Sequence, residues 1–170
     1  RGPAPAVVVP GINAGQTAAG LTLLSATVGA PRTAARFGIP AIAVSQGFAP
    51  RLDYDDAAAE TAAIVELFRT NAAFRRLLEG ARGAPNARIL NLNFPTCEQG
   101  TLRGLRVVRL GQIRRVVAYQ PGTEPGIFVP ELVGQDIGST DCRSTLANPA
   151  TDLDAMNNGF AAATPLAPDL

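Results

Sequence analysis

The sequence predicts an α/β fold: a mostly parallel sheet flanked by helices, with an irregular, β-rich C-terminal extension. Two observations predict it. Short apolar runs closed by Pro or Gly alternate with Ala- and Leu-rich helical stretches up to about residue 96. Apolar residues make up 46% of the 170 positions and charged residues 17%, which suits one domain with a sizeable core rather than a disordered chain. The chain is read as a single domain, with an α/β core at 1–96, a hairpin or extension at 97–150, and a closing helix and strand at 151–170.

Taken in order, Val7 to Val9 form a short apolar run closed by Pro10-Gly11, as expected of a buried parallel strand ending in a turn. A glycine-rich loop follows, Gly11-Ile12-Asn13-Ala14-Gly15. Leu21 to Phe37 is helical in composition, with Pro31 expected to break or restart the helix. Ala41 to Val44 is the next strand. Asp53 then reads as an N-cap, with Asp55 and Asp56 in the first turn of a helix running to about Glu79. Ile64, Leu67, Phe68, Phe74, Leu77 and Leu78 give it one apolar stripe, and Gly80 and Gly83-Ala84-Pro85 stop it. Arg88 to Phe94 alternates apolar and polar residues before Pro95. The amides of Asn91 and Asn93 are read as ties between neighbouring loops, or else as lying near the site, since their strand ends on the same edge as the Gly11 loop. Strand, helix, strand, helix, strand calls for right-handed crossovers and a parallel sheet. Beyond Thr96, Leu105 to Leu110, Val116 to Tyr119 and, at most, Ile127 to Val129 read as strands. Thr151 caps a last short helix to Asn158, and Phe160 to Thr164 is the final strand.

Composition excludes much chemistry. There is no histidine, which removes Ser-His-Asp and Cys-His hydrolases, HExxH sites and imidazole-based zinc sites. Two cysteines do not make a four-thiolate zinc site. Any catalysis therefore runs on carboxylates, hydroxyls, amides, Arg or an oxygen-bound hard metal. Fifteen basic against fourteen acidic residues leaves +1, no footprint for duplex nucleic acid or anionic lipid. No apolar run approaches the roughly 20 residues that span a bilayer. An α/β domain that opens directly on a buried strand, with neither Met nor leader, is expected to have lost an N-terminal portion.

In open α/β sheets, ligands sit beyond the carboxyl ends of the strands, where loops lead into helix N-termini. The Gly11–Gly15 loop has that place. Its glycines suit close backbone approach to an anion, Asn13 offers a neutral oxygen for magnesium or manganese, and Ser25 and Thr27 offer hydroxyls to a phosphate. A purely structural turn is the alternative. Gly11, Gly15 and Gly20 lack the GxGxxG spacing, which disfavours a flavin or nicotinamide domain, and without Lys there is no P-loop.

Three segments in this region, and two later ones, resemble the survival protein SurE family. Ala6 to Gly15 resembles P-D-[LIV]-V-V-S-G-I-N-x-G, Ser25 to Ala30 resembles S-G-T-V-x-A-A, and Gly38 to Ser45 resembles G-[FIV]-P-A-[IL]-A-[VF]-S. Farther on, Leu90 to Pro95 is similar to L-N-[IV]-N-[IVF]-P. The terminus from Thr151 to Leu166, including Gly159-Phe160 and Thr164-Pro165-Leu166, is similar to D-x-x-A-x-x-x-G-[YF]-x-x-[IVL]-[ST]-P-L. The resemblance implies a Rossmann-like fold whose C-terminal extension helps build homodimers or homotetramers. It also implies a metal-dependent phosphomonoesterase acting on nucleoside 5′- and 3′-monophosphates. The family's divalent ion is held by an Asp pair in an N-D-D-G loop, a Ser, and the Asn of S-G-I-N-x-G. Only Asn13 carries over as a ligand; the Asp pair and the Ser are expected upstream, so no catalytic residue lies within this chain. Gly11, Gly15, Thr17, Ser25 and Thr27 carry over as phosphate or substrate contacts. The sequence departs from the pattern at Pro10 (Ser in the family), Thr17 (often a second Asn), Ala26 (Gly) and Pro31. These 170 residues are therefore expected to be inactive alone. The alternative is a non-catalytic SurE-like domain kept for self-association or ligand binding.

Cys97 and Cys142 lie in turn-rich segments expected to be exposed. A disulfide between them is the preferred reading, with free buried thiols or a metal role as alternatives. A disulfide implies an oxidising compartment and hence an exported protein; two free thiols imply the cytoplasm. Arg114-Arg115 is read as solvated charge on a hairpin, or else as a contact to phosphate or a neighbouring subunit.

Overall fold

The computed structural model describes residues 3, 5–79, 88–112, 116–133 and 140–169. Gly80, Gly83-Ala84-Pro85 and Arg114-Arg115 lie outside them. In chain order the elements are β1 (Asn13–Ala14), α1 (Ala26–Arg36), β2 (Ala41–Gln46), α2 (Asp55–Thr70), α3 (Ala72–Glu79), β3 (Ile89–Phe94), β4 (Leu105–Val107), β5 (Val116–Pro121), β6 (Phe128–Val133), α4 (Asp152–Asn157) and β7 (Ala161–Leu166). A five-stranded sheet runs β1-β2-β3-β7-β4, parallel at every pairing except β3–β7; β5 and β6 form a separate antiparallel hairpin.

Strands β2 and β3 are buried along their whole length, which is why their sequences carry apolar residues on both faces. On one face Ile42, Val44, Leu90, Leu92 and Phe94 pack against Ala57 and Phe68 of α2 and Leu78 of α3. On the other, Ala43 and Ile89 pack against Val28 and Ala35 of α1 and Leu166 of β7. Helices thus cover both faces of a Rossmann-like α/β sheet, and the carboxyl ends of β1, β2 and β3 share one edge.

Several expectations need correcting, among them the strand expected at Leu105 to Leu110, which stops at Val107, and the one expected to be at most Ile127 to Val129, which runs as Phe128–Val133. Val7 to Val9 is not a full strand: Val8 makes only an isolated bridge to Ala41, and the regular strand is the two-residue β1. Pro10 has no N–H to give, so the ladder along β2 loses a donor there: Val8 bonds Pro40 O and the Ile42 N–H (3.0 and 2.9 Å), the Val44 N–H reaches Pro10 O (3.1 Å), and the Gly15 N–H reaches Gln46 O (2.7 Å). Pro31 does not break its helix. It forfeits only the bond to the Thr27 carbonyl in the first turn, and its ring is buried on the same face as Val28 and Ala35. The helix proper begins after Ser25, behind a 3-10 turn at Ala19–Leu23. The long helix to Glu79 is two helices. Asn71 Oδ1 accepts the N–H groups of Ala73 and Phe74 (both 3.0 Å), capping α3 and ending α2. At the start of α2, Asp53 does accept an N–H, that of Asp55 (3.1 Å), although Tyr54 holds the cap position. Lastly, Cys142 is buried and Cys97 half-buried rather than exposed.

The two cysteines form a disulfide, with Cα atoms 5.7 Å apart. It ties the loop after β3 to the segment that leads into α4. The last helix is defined by a capping box: Thr151 accepts the Asp154 N–H (3.2 Å) while Asp154 accepts the Thr151 N–H (3.1 Å).

Candidate active site

The loop between β1 and α1 crosses the carboxyl edge of the sheet and is held from below by side chains of β2 and β3. Asn93 Oδ1 accepts the Thr17 N–H (2.7 Å), while the Nδ2 groups of Asn91 and Asn93 donate to the Thr17 carbonyl (2.7 and 3.0 Å). Both amides are completely buried and grip one loop at Thr17 rather than joining two, and Asn91 Oδ1 has no partner among the described residues. The Thr17 hydroxyl is engaged too. Ser45 Oγ donates to it (3.0 Å), and Ser25 Oγ lies 3.3 Å away. Thr17 is itself buried, and so stands behind Ser25 rather than on an open surface. Ser25 caps α1, its hydroxyl oxygen accepting the Thr27 N–H (3.2 Å). Ser25 and Thr27 are half-buried at the positive end of that helix.

Asn13 sits at the edge of the sheet, paired with Ser45. Its Nδ2 donates to the Gly15 carbonyl (2.7 Å), and its Oδ1 accepts no hydrogen bond among the described residues. The amide is therefore anchored through nitrogen, with its oxygen left to offer. Gly11 and Gly15 play a different part from the one their spacing suggests. Gly11 has φ +134, and a Cβ there would meet the Val44 carbonyl oxygen; Gly15 has φ +113, and a Cβ there would meet the Phe48 ring. The Gly15 N–H already bonds Gln46, so glycine is needed here for close approach to β2 rather than to free an amide for an anion.

One residue of the arrangement escapes a reading by local pattern. Asp152, fully buried at the start of α4, accepts the N–H of Ala19 on Oδ2 (2.8 Å) and those of Gly111 and Leu153 on Oδ1 (2.7 and 2.9 Å). Ala19 has φ +48, an unusual conformation for a residue with a side chain, and this bond helps hold it. The only signal in the sequence is the Asp that opens the terminal D-x-x-A motif. Asp55 and Asp56 lie in the first turn of α2, as a helix-start role requires. No group of three or more His, Cys, Asp or Glu placed to hold a metal occurs among the described residues.

The sequence model described as survival protein SurE matches residues 1–116. The chain belongs to the SurE family. It is 34% identical to the 5′/3′-nucleotidase SurE of Shigella dysenteriae over 172 residues, covering 99% of this chain and 59% of that protein. It is likewise 34% identical to the 5′-nucleotidase SurE of Chloroflexus aggregans, with 98% and 60% covered. The crystal structure of the SurE protein from Aquifex aeolicus superposes with a TM-score of 0.69 at 24% identity, over 98% of this chain and 60% of that one. The SurE fold assignment thus holds over nearly the whole chain, while the chain spans about three-fifths of the length of these SurE relatives.

Proposed function

We propose that this chain is part of a metal-dependent phosphomonoesterase that hydrolyses nucleoside 5′- and 3′-monophosphates, with Asn13 supplying one oxygen ligand to a magnesium or manganese ion. The observation that carries the proposal is the anchored amide: Asn13 Nδ2 is tied to Gly15, so Oδ1 is held ready at the carboxyl edge of the sheet. One neutral oxygen, with no carboxylate cluster beside it among the described residues, does not hold a divalent ion, so Asn13 fits only as a member of a larger set. The anionic ligands then come from elsewhere in the parent protein, and these 170 residues are inactive alone. The bound metal would polarise the phosphoryl group and lower the pKa of a bound water. The chain's own residues bind and orient. Ser25 and Thr27, at the positive end of α1, face the phosphate. Thr17, gripped by Asn91 and Asn93, fixes Ser25 from behind.

Disulfide Cys97–Cys142 supports export to an oxidising compartment. Hairpin β5–β6, with Tyr119, Ile127, Phe128 and Val129 exposed, supports self-association as a homodimer or homotetramer. The test is phosphate release by the full-length parent from a nucleoside monophosphate with added magnesium. Asn13→Ala should lower kcat/KM by about 100-fold or more, as expected for losing a ligand-type interaction of roughly 3 kcal/mol. Equal rates in both proteins would take Asn13 out of the site; no phosphate release by either would favour a non-catalytic domain.

A further inference from the structure

Phe48 is 67% exposed, yet its position is fixed. It stands two residues beyond the end of β2, at the carboxyl edge of the sheet, and its N–H donates to Gln16 Oε1 (3.0 Å). Its ring lies against Gly15 so closely that a Cβ at that glycine would overlap it. Gly15 is also the residue whose carbonyl anchors the Asn13 amide. An aromatic ring is thus joined to the metal-ligand candidate through a single residue, with most of its surface open. Burying such a ring is favourable, so one pinned open at the ligand edge of an α/β sheet suits an incoming flat apolar surface.

The same ring forms one wall of a cleft of about 210 Å³ between the loop after β2 and the loop after β3. The other walls are Ala49, Pro50, Thr96, Glu98 and Thr140. A pocket for a whole drug-sized ligand takes roughly 300 Å³ or more, so this one suits a single ring system. Glu98 has no ion-pair partner among the described residues, where the ion pairs are Glu66–Arg69 and Arg75–Glu79, and is free to accept from O–H or N–H groups. No cationic side chain is among the described residues that line the cleft. The cleft therefore fits the uncharged part of a phosphate ester and leaves the phosphate to the Asn13 end.

We infer that Phe48 is the base-stacking residue of this site. The nucleobase of a nucleoside monophosphate lies on the open face of the Phe48 ring, and Glu98 accepts from hydroxyls of the attached ribose. This rests on the nucleotidase reading above and adds the residue that tells a nucleotide from other phosphate esters. Every base has a π-face, so a phenyl ring in this role accepts purines and pyrimidines alike.

The full-length parent is assayed with adenosine 5′-monophosphate and with ribose 5-phosphate, which lacks the base. Phe48→Ala should cut the preference for the nucleotide, taken as the ratio of the two kcat/KM values, by about ten-fold, the worth of one base–aromatic stack, and chiefly through KM. Phe48→Trp should keep or raise the preference. An unchanged ratio in Phe48→Ala overturns the inference, and if both rates also fall with a lowered Tm, the ring is packed by the remainder of the parent. An unchanged ratio with phosphate still released leaves the Asn13 reading untouched. Should the parent hydrolyse neither ester, the phosphatase reading fails and binding decides this one. Adenosine titrated into ¹⁵N-labelled parent should then shift the Gly15 and Gln16 amides saturably, at least ten-fold more weakly in Phe48→Ala; no saturable shift, or equal binding by the variant, overturns it.

Discussion

Replacing Asp152 with Asn exchanges one buried carboxylate oxygen for an NH2 group without changing the size of the side chain. Native Oδ1 accepts from Gly111 and Leu153, and Oδ2 from Ala19. The best orientation for Asn keeps its carbonyl toward the first two and so points NH2 at the Ala19 N–H. One bond to a charged acceptor is lost, worth about 1.5–3 kcal/mol, and two donors are left facing each other, at about 1–3 kcal/mol each. Relief from burying an ion offsets part of this, to an extent of a few kcal/mol. The net expectation is a loss of about 3 kcal/mol, which at a urea m-value of about 2 kcal/mol/M lowers the midpoint by about 1.5 M. Far-UV circular dichroism is the signal, since the chain has no tryptophan. Hydrogen exchange gives the local readout: the Ala19 amide should lose protection even where the variant is folded. A midpoint shift below about 0.3 M, or unchanged protection at Ala19, would refute the idea that this carboxylate holds the loop over the site.

Two further outcomes follow from the same contacts. Cys97→Ala/Cys142→Ala opens a loop with a sequence separation of 45, worth about 4 kcal/mol on the chain-entropy account, and chemical denaturation should show a loss of that order. A loss below about 1 kcal/mol would mean that the unfolded chain is already constrained there. The Glu66 carboxyl should titrate below the ordinary carboxylate value, because Arg69 donates to both of its oxygens (2.8 and 2.7 Å). A depressed folded-state pKa adds stability above the unfolded value that disappears as pH falls through the folded one. Both side chains are exposed, so the sign is seen in the NMR titration of Glu66, which Arg69→Gln should return upward, rather than in a melting curve.

The parts of the fold legible in the sequence are those fixed by local pattern. Strands β2, β3 and β7 were readable because each is a continuous apolar or alternating run, and α4 because Thr151 announces its cap. The Cys97–Cys142 pairing was readable from there being only two cysteines, both in turn-rich segments. What pattern missed depends on partners distant in sequence. Asn71 was read as one more helix residue because its capping role depends on which way its side chain turns. Asp152 looks like an ordinary first-turn acid until Ala19 and Gly111 arrive at its two oxygens from positions 133 and 41 residues away. At the site, the Asn13 position was legible from the loop motif. That Gly15 serves Phe48 and β2, and that Thr17 is enclosed, was not.

The strand order has a consequence for how the molecule is made. Strand β7 comes last along the chain yet lies between β3 and β4, hydrogen-bonded to both. During synthesis, β3 and β4 must wait with facing edges vacant while more than fifty further residues emerge from the ribosome. Once oxidised, the Cys97–Cys142 bridge holds the approach to α4 beside the end of β3, near the slot that the final strand fills. A nascent chain halted before Ala161 is thus a sheet with a missing middle.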